Sequence, residues 1–321
     1  MKLAFIGYGN VGRSLHRLIR ARRREFPFTV TGIHTLRHGT AIDCGGIGAE
    51  PAFGPRAASI EEFLDGTKAQ IAVELTTLNP SDGQPAVAHI RAAFVRKMHV
   101  ATANKGPLAH AYAELRDDAA RAGVGFRFES AVMDGAPVFN LWRPTLPGVK
   151  VLGFTGVLNS TTKVVIETME RGGSFEDGLA RARQMGVTEA DGAFDVEGWD
   201  SAAKTAALAN VLMDARTTPQ QVSTRGIGRL TPERMREING EGKTVRLVSR
   251  ARRNGSGLTL RVRAEVLERG DLLACTPGTS NLLLFHTDLM GTFGTVSIEP
   301  GVEQTAYGVF SDIVNLSRGN L

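Results

Sequence analysis

Six ionisable residues crowd the stretch EADGAFDVEGWDSAAK: Glu189, Asp191, Asp195, Glu197, Asp200 and Lys204. A solvated helix face mixes both signs, but here the carboxylates precede a single lysine, and Gly192, Gly198 and Trp199 interrupt them. That pattern reads as a loop feeding a helix. The apolar run AAKTAALANVLM predicts a helix from about Asp200 to Met213, with Asp200 at or near its N-cap and Lys204 one turn on along the same face. A lysine held by a carboxylate at a helix start keeps its charge when partly desolvated and can pass a proton to an oxygen atom. The same spacing also serves an ordinary surface ion pair worth about 0.3–0.5 kcal/mol, so spacing alone does not choose between them.

A second group binds rather than reacts. KLAFIG has a strand pattern and runs into Gly7-Tyr8-Gly9-Asn10-Val11-Gly12, followed by the helical spacing of SLHRLIRARRR. Strand, GxGxxG and helix in that order form the context of a dinucleotide fingerprint. Gly7 makes the tight turn, Gly9 lets the backbone approach a pyrophosphate, and Gly12 lets the helix pack on the strand. The second strand, about Phe28 to Ile33, runs into His34-Thr35-Leu36-Arg37-His38, with no carboxylate before Asp43 to hold a ribose hydroxyl. An arginine there suits a 2′-phosphate in charge and donor geometry, which favours NADP over NAD; Arg37 as a plain exposed loop residue is the other reading. Thr76 and Thr77 come just past the strand IAVEL, where such sheets hold ligands, and Lys105 follows the strand HVATA in Asn104-Lys105-Gly106-Pro107.

The elements that must place these residues divide the chain in two. At 321 residues the chain exceeds a usual single core. A hydrophobic fraction of 42% and a charged fraction of 22% are those of a globular protein, and no run approaches a membrane span. The start MKLAFIGYGN enters a strand without a secretory leader, so a cytoplasmic location is expected. Cys44 and Cys275 are far apart and lie in no metal-ligand spacing. A net charge of +5 comes from scattered arginines plus the cluster Arg20, Arg22, Arg23 and Arg24 ending the first helix, where cations suit the dipole. Without interleaved aromatics or a nucleic-acid motif, a small anionic ligand fits better than a polymer.

Further βα units follow: IAVEL (71–75), a helix around Pro85 to Arg96, HVATA (99–103), a helix from about Ala109 to Ala122, and the strand VGFRFES (124–130). After Pro137 the pattern changes. VKVLGFTGVL is strand-like, and Asn159-Ser160-Thr161-Thr162 starts a helix to about Arg171. Ser174 caps the next helix, and TVRLVSRA, LTLRVRAEVL, NLLLFHT and GTVSIE alternate as antiparallel strands do. The expected class is α/β: a Rossmann-type dinucleotide-binding domain over 1–140 and an α+β substrate and dimerisation domain with a mostly antiparallel sheet over 141–301. The C-terminal helix, about 302–321, packs back on the first domain.

Together, GYGNVG, ATANKGPLA, ESAVMDGAP, the block GVLNSTTKVVIETMERGGSFEDGLARARQMGVTEADGAFDVEGWDSAAKTAALA and the closing QTAYGVFSDIV resemble homoserine dehydrogenase over nearly the whole length. The block from Gly156 to Ala209 is the specific part. The resemblance implies an NAD(P)H-dependent interconversion of L-aspartate 4-semialdehyde and L-homoserine in threonine and methionine biosynthesis, by a homodimer. Position by position it makes Lys204 the proton donor to the aldehyde oxygen, Asp200 its carboxylate partner, Glu189 the residue for the substrate's amino group, and Asp195 another acid of that pocket. It aims Lys105 at nicotinamide and substrate, and the helix opening near Thr161 offers N–H groups to the substrate carboxylate. It also implies a monovalent cation, sodium, held by Glu129 and main-chain oxygens at Val132, Asp134 and Ala136. Two departures stand out. The glycine-rich GxGAG turn expected near the cofactor is Glu299-Pro300-Gly301-Val302-Glu303, which keeps only Gly301, and Met133-Asp134 replaces small residues of the cation loop. The chain stops at Leu321, so the short form without a regulatory ACT domain is expected.

Two rival readings share the same fold. One is an NADP oxidoreductase acting on a related amino-acid aldehyde or imine, which substrate profiling separates. The other is a non-catalytic NADP-binding sensor, which predicts that Lys204 or Asp200 is missing; both are present.

Overall fold

The computed structural model describes residues 1–142, 145–188, 192–255 and 257–319. They form two compact units, one of Met1–Asn140 with Gly301–Leu321, the other of Leu141–Pro300.

The first unit is an open, mostly parallel sheet. Its elements are β1 (Lys2–Ile6), α1 (Asn10–Ala21), β2 (Thr29–Thr35), β3 (Gly39–Ile42), α2 (Ile60–Thr67), β4 (Ile71–Glu74), α3 (Ala86–Val95), β5 (His99–Thr102), α4 (Lys105–Ala122) and β6 (Phe126–Arg127). The strand order is β3-β2-β1-β4-β5-β6, with β3 alone antiparallel to its neighbour. This order reverses direction at β1/β4, the switch point where doubly wound sheets take their ligands. The continuous apolar runs of β1 and β4 belong to strands covered on both faces: Leu3, Phe5, Ile71 and Val73 are buried with Leu15 and Ile19 of α1.

Three stretches differ from the sequence-based expectation. Ahead of the helix expected from Ala109 the chain already turns helically from Lys105, with a kink at the non-helical Ala111 (φ −144°, ψ 21°). The Asn104 side chain opens this first turn by accepting from Gly106 N at 2.9 Å, and Pro107 falls within it, where its missing N–H costs nothing. The strand expected over 124–130 shrinks to β6, since a 3-10 turn at Glu129–Ala131 bends the chain away. The strand β3 and the helix α2, capped by Ser59 accepting from Glu62 N at 3.1 Å, are additional elements.

In the second unit, β7 (Val151–Val157) leads into α5 (Ser160–Glu170), α6 (Phe175–Gln184), α7 (Ala193–Val196) and α8 (Trp199–Met213). Then come β8 (Ser223–Arg225), α9 (Pro232–Gly240), β9 (Lys243–Asn254), β10 (Gly257–Glu268), β11 (Asn281–Thr287) and β12 (Thr292–Ser297). The sheet order is β12-β11-β7-β9-β10-β8, antiparallel throughout except for the short β8. Ser174 and Asp177 form a reciprocal capping box at the start of α6. Most of α8 is buried, with Ala202, Ala203, Ala206, Ala207 and Ala209 against β7, β9 and β10; small side chains on nearly every face let a helix seat deep in a unit. The final helix, α10 (Val302–Ser317), belongs to the first unit, where it packs on α1 and sets Phe310 edge-on to Phe26 at 5.3 Å.

Candidate active site

In the second unit the candidate chemistry collects where β7 gives way to α5 and meets the start of α8. Lys204 Nζ lies 3.0 Å from Asp200 Oδ2 and donates to Leu158 O at 2.6 Å. Only 15% of the lysine and 12% of the aspartate side chain are exposed, so this is not the solvated i,i+4 pair that spacing also allowed. Water cannot screen it fully, and the main-chain carbonyl aims the ammonium.

Asp200 is the second residue of α8 rather than its cap. Gly198 takes the N-cap position at φ 91°, a left-handed conformation that glycine tolerates, and this frees the Asp200 carboxylate to face inward. The residue that ties the cluster together is Asn159, which sequence reasoning named only as part of a helix start. Its Oδ1 accepts from Thr162 N at 2.8 Å and caps α5. Its amide donates to Asp195 Oδ1 at 2.7 Å and to Asp200 Oδ2 at 3.0 Å, bridging two carboxylates that would otherwise repel. An asparagine just before Ser-Thr-Thr was the available signal, since that residue type caps helices and has donors to spare. Asp195, half-buried on α7, also receives Thr161 Oγ1 at 3.1 Å and Thr188 Oγ1 at 2.9 Å. Thr161 thus lends its hydroxyl to the cluster, and of the N–H groups that open α5 the one at Thr162 is taken by the Asn159 cap. Glu189 and Asp191 lie outside the described residues.

In the first unit, Gly7 has φ 99°, and a Cβ there would come 2.6 Å from Leu75 O. On Gly12 it would come 3.2 Å from Gly7 O, whereas on Gly9 it would meet nothing within 4 Å. The helix packs tightly where the fold needs it and leaves the middle glycine open on one side. Asn10 and Val11 begin α1, whose N-cap has no side-chain hydrogen bond and whose first turn has no acid, so a pyrophosphate fits its N–H groups.

Next to this loop sits Glu74, fully buried at the end of β4 and not singled out from the sequence. It accepts from Thr76 N at 3.0 Å, from Thr76 Oγ1, and from Thr102 Oγ1 at 3.0 Å. Asn104 Nδ2 then donates to Thr76 O at 3.1 Å. One buried carboxylate therefore couples the Thr76 loop to the start of α4, where Lys105 is the first residue. A cation at a helix N-terminus opposes the dipole, a local cost that folding alone does not require. A carboxylate closing an otherwise apolar strand was its signal. Arg37 is exposed in the turn between β2 and β3, and Gly301 is the N-cap of α10.

Glu129 is buried, and its carboxylate accepts from three main-chain N–H groups: Val138, Phe139 at 2.9 Å and Asn140 at 2.6 Å. Burial nevertheless pushes its proton affinity up. Beside it the buried Asp312 accepts from Glu129 N at 2.7 Å and Asn140 Nδ2 at 3.1 Å, and burial raises it to about 7. Glu129 thus takes three hydrogen bonds from the chain itself. Asp134 takes a left-handed φ of 57°.

Residues 137–314 match the family model described as homoserine dehydrogenase, and residues 7–129 match the one described as homoserine dehydrogenase, NAD binding domain. An NAD(+)-dependent homoserine dehydrogenase of Pseudomonas canavaninivorans is 33% identical over 99% of this chain and 96% of that protein. The homoserine dehydrogenase of Methanocaldococcus jannaschii is 33% identical over 98% of each. A crystal structure of the Thermoplasma acidophilum homoserine dehydrogenase superposes with a TM-score of 0.86 over 99% of both chains, at 27% identity. With both halves matched and relatives aligned end to end, the chain belongs to the homoserine dehydrogenase family and is an oxidoreductase that acts on a CH–OH group with a nicotinamide dinucleotide as cofactor.

Proposed function

We propose that the chain interconverts L-aspartate 4-semialdehyde and L-homoserine with NADP(H), and that Lys204 moves the proton at the substrate oxygen. The observation that carries this assignment is the largely buried Lys204–Asp200 pair, steered by Leu158 O and bridged through Asn159 to Asp195. The bound nicotinamide supplies or receives the hydride. In the reducing direction Lys204 donates its proton to the oxygen as negative charge develops there, and Asp200 keeps the ammonium charged and in place. Lys105, at the start of α4, is assigned to stabilising that charge or sharing the proton duty. Asp195 and Glu189 compensate the substrate's ammonium, and Thr161 holds Asp195 in orientation.

On the cofactor side, Gly7, Gly9, Asn10, Val11 and Gly12 take the pyrophosphate, and Thr76 and Gly301 complete the cradle. Use of NADP rather than NAD is supported by the absence of a carboxylate at the end of β2 and by Arg37 in the following turn. A sodium ion at the main-chain oxygens of Val132, Asp134 and Ala136 beside Glu129 suits hard oxygen donors. A homodimer is supported by Leu152, Val266 and Val296, apolar side chains left exposed on strands of the second sheet. A reducing, cytoplasmic setting is supported by Cys44 and Cys275, both exposed thiols outside any disulfide.

The direct test is to follow nicotinamide absorbance with purified protein, homoserine, and NADP+ or NAD+ in turn, with other amino-alcohols as controls. Homoserine oxidation well above the controls is expected. Oxidation of a different amino-alcohol with homoserine inert would overturn the substrate reading.

A further inference from the structure

A cavity of about 460 Å³ opens in the first unit between the glycine loop and the outer face of α1. Its walls include Tyr8, Arg13, Arg17 and Arg20, with His38 and Glu50 contributed by other segments. The arginines stand at i, i+4 and i+7 and so share one stripe of the helix. All three are exposed, and none has an ion-pair partner among the described residues. Tyr8 follows β1 and His38 follows β2, which places the cavity at the carboxyl ends of those two strands. In a sheet of this order the adenosine end of a dinucleotide lies there.

The base of the cavity is fixed and uncharged. Tyr8 Oη and His16 Nδ1 are 2.8 Å apart, and His16 Nε2 reaches Ile47 O at 3.3 Å. Burial holds the imidazole below its ordinary range and lifts the phenol, which favours the uncharged form of both. Glu50 is the single carboxylate among the lining residues. Three guanidiniums against one carboxylate, over a hydroxyl floor, suit an anion with several oxygens. Arg37 does not line this cavity.

We propose that the α1 face, through Arg13 and Arg17 with His38, reads the 2′-phosphate on the adenosine ribose and is the main determinant of NADP use. This rests on the NADP reading above and moves the choice from Arg37 to the arginines of α1, with His38 of the β2–β3 turn beside them. Removing one charge-assisted hydrogen bond to a dianion weakens its binding by about tenfold or more. Arg20, nearer the end of the helix, contributes long-range attraction and less selectivity.

The experiment uses the full chain, with 2′,5′-ADP and 5′-AMP as calorimetric probes, and kcat/KM for NADP+ and NAD+ with homoserine. In Arg13→Ala and Arg17→Ala the preference for 2′,5′-ADP over 5′-AMP, and for NADP+ over NAD+, falls by about tenfold or more. Arg37→Ala changes the ratio much less. A wild-type preference for NADP+ that survives both substitutions, or that disappears with Arg37→Ala alone, overturns the α1 assignment and leaves the NADP reading standing. Wild-type enzyme that oxidises homoserine with NAD+ and ignores NADP+ overturns both. Equal losses for the two cofactors also overturn it, since they show a general electrostatic effect.

Discussion

Replacing Lys204 by alanine separates the chemical role of the ammonium from its part in the fold. The substitution removes the 3.0 Å pair with Asp200 and the 2.6 Å bond to Leu158 O. Exposed ion pairs contribute about 0–1 kcal/mol, and breaking a fully buried pair costs about 3–5 kcal/mol. With 15% and 12% of the two side chains exposed, and with Asn159 still donating to Asp200, a loss of about 2 kcal/mol in stability is expected. The catalytic effect should be larger. Loss of a positioned general acid lowers rates by about 10²–10⁴, equivalent to about 3–5 kcal/mol of barrier. Steady-state homoserine oxidation, measured well below the melting temperature and alongside cofactor binding by nicotinamide fluorescence, reads the two effects separately. Lys204→Arg sharpens the test, because guanidinium keeps the charge near Asp200 but does not release a proton. It should recover much of the stability and little of the rate. A Lys204→Ala enzyme within threefold of wild-type kcat, or a Lys204→Arg enzyme that regains rate and stability together, would refute proton transfer by this residue.

Asn159→Ala removes the α5 cap and the bridge between Asp195 and Asp200, for an expected loss of about 2–4 kcal/mol by urea denaturation; a loss under about 1 kcal/mol would show that water takes over its role. Gly7 and Gly9 should respond oppositely to alanine. Gly7→Ala meets Leu75 O at 2.6 Å in a left-handed conformation and should unfold the unit readily, while Gly9→Ala should cost no more than about 1 kcal/mol yet raise the cofactor KM by about tenfold. An unchanged KM in Gly9→Ala would remove the middle glycine from the pyrophosphate site. Asp312 titrates at about 7 in the folded protein and near 3.9 when unfolded, so between these values the folded state holds the extra proton. Its contribution to stability is full below about pH 4 and is lost as pH rises through 7, an excursion on the order of 4 kcal/mol. Asp312→Asn should flatten the fall in urea midpoint between pH 4 and 7, leaving the smaller slope due to Glu129, and an identical slope in both proteins would sink the assignment.

What the sequence determined by itself is local. The turn at Gly7, the capping box of Ser174 and Asp177, the alternation of β10 and β12, and the shared face of Asp200 and Lys204 all depend on residues within a few positions of one another. Backbone sterics and helix or strand periodicity fix such features before any long-range interaction forms. The early start of α4 was hidden for the opposite reason: Gly106 and Pro107 read as breakers until the Asn104 side chain is seen capping the turn. Tertiary structure alone decided which polar groups lose water together. Asn159 reaches Asp200 across 41 residues, Thr102 reaches Glu74 across 28, and Glu129 meets Asp312 across 183. No spacing rule announces these partners. They are chosen because a buried carboxylate must find donors wherever the packed elements bring them, and that packing turns an ordinary-looking i,i+4 pair into a desolvated ammonium poised over a carboxylate.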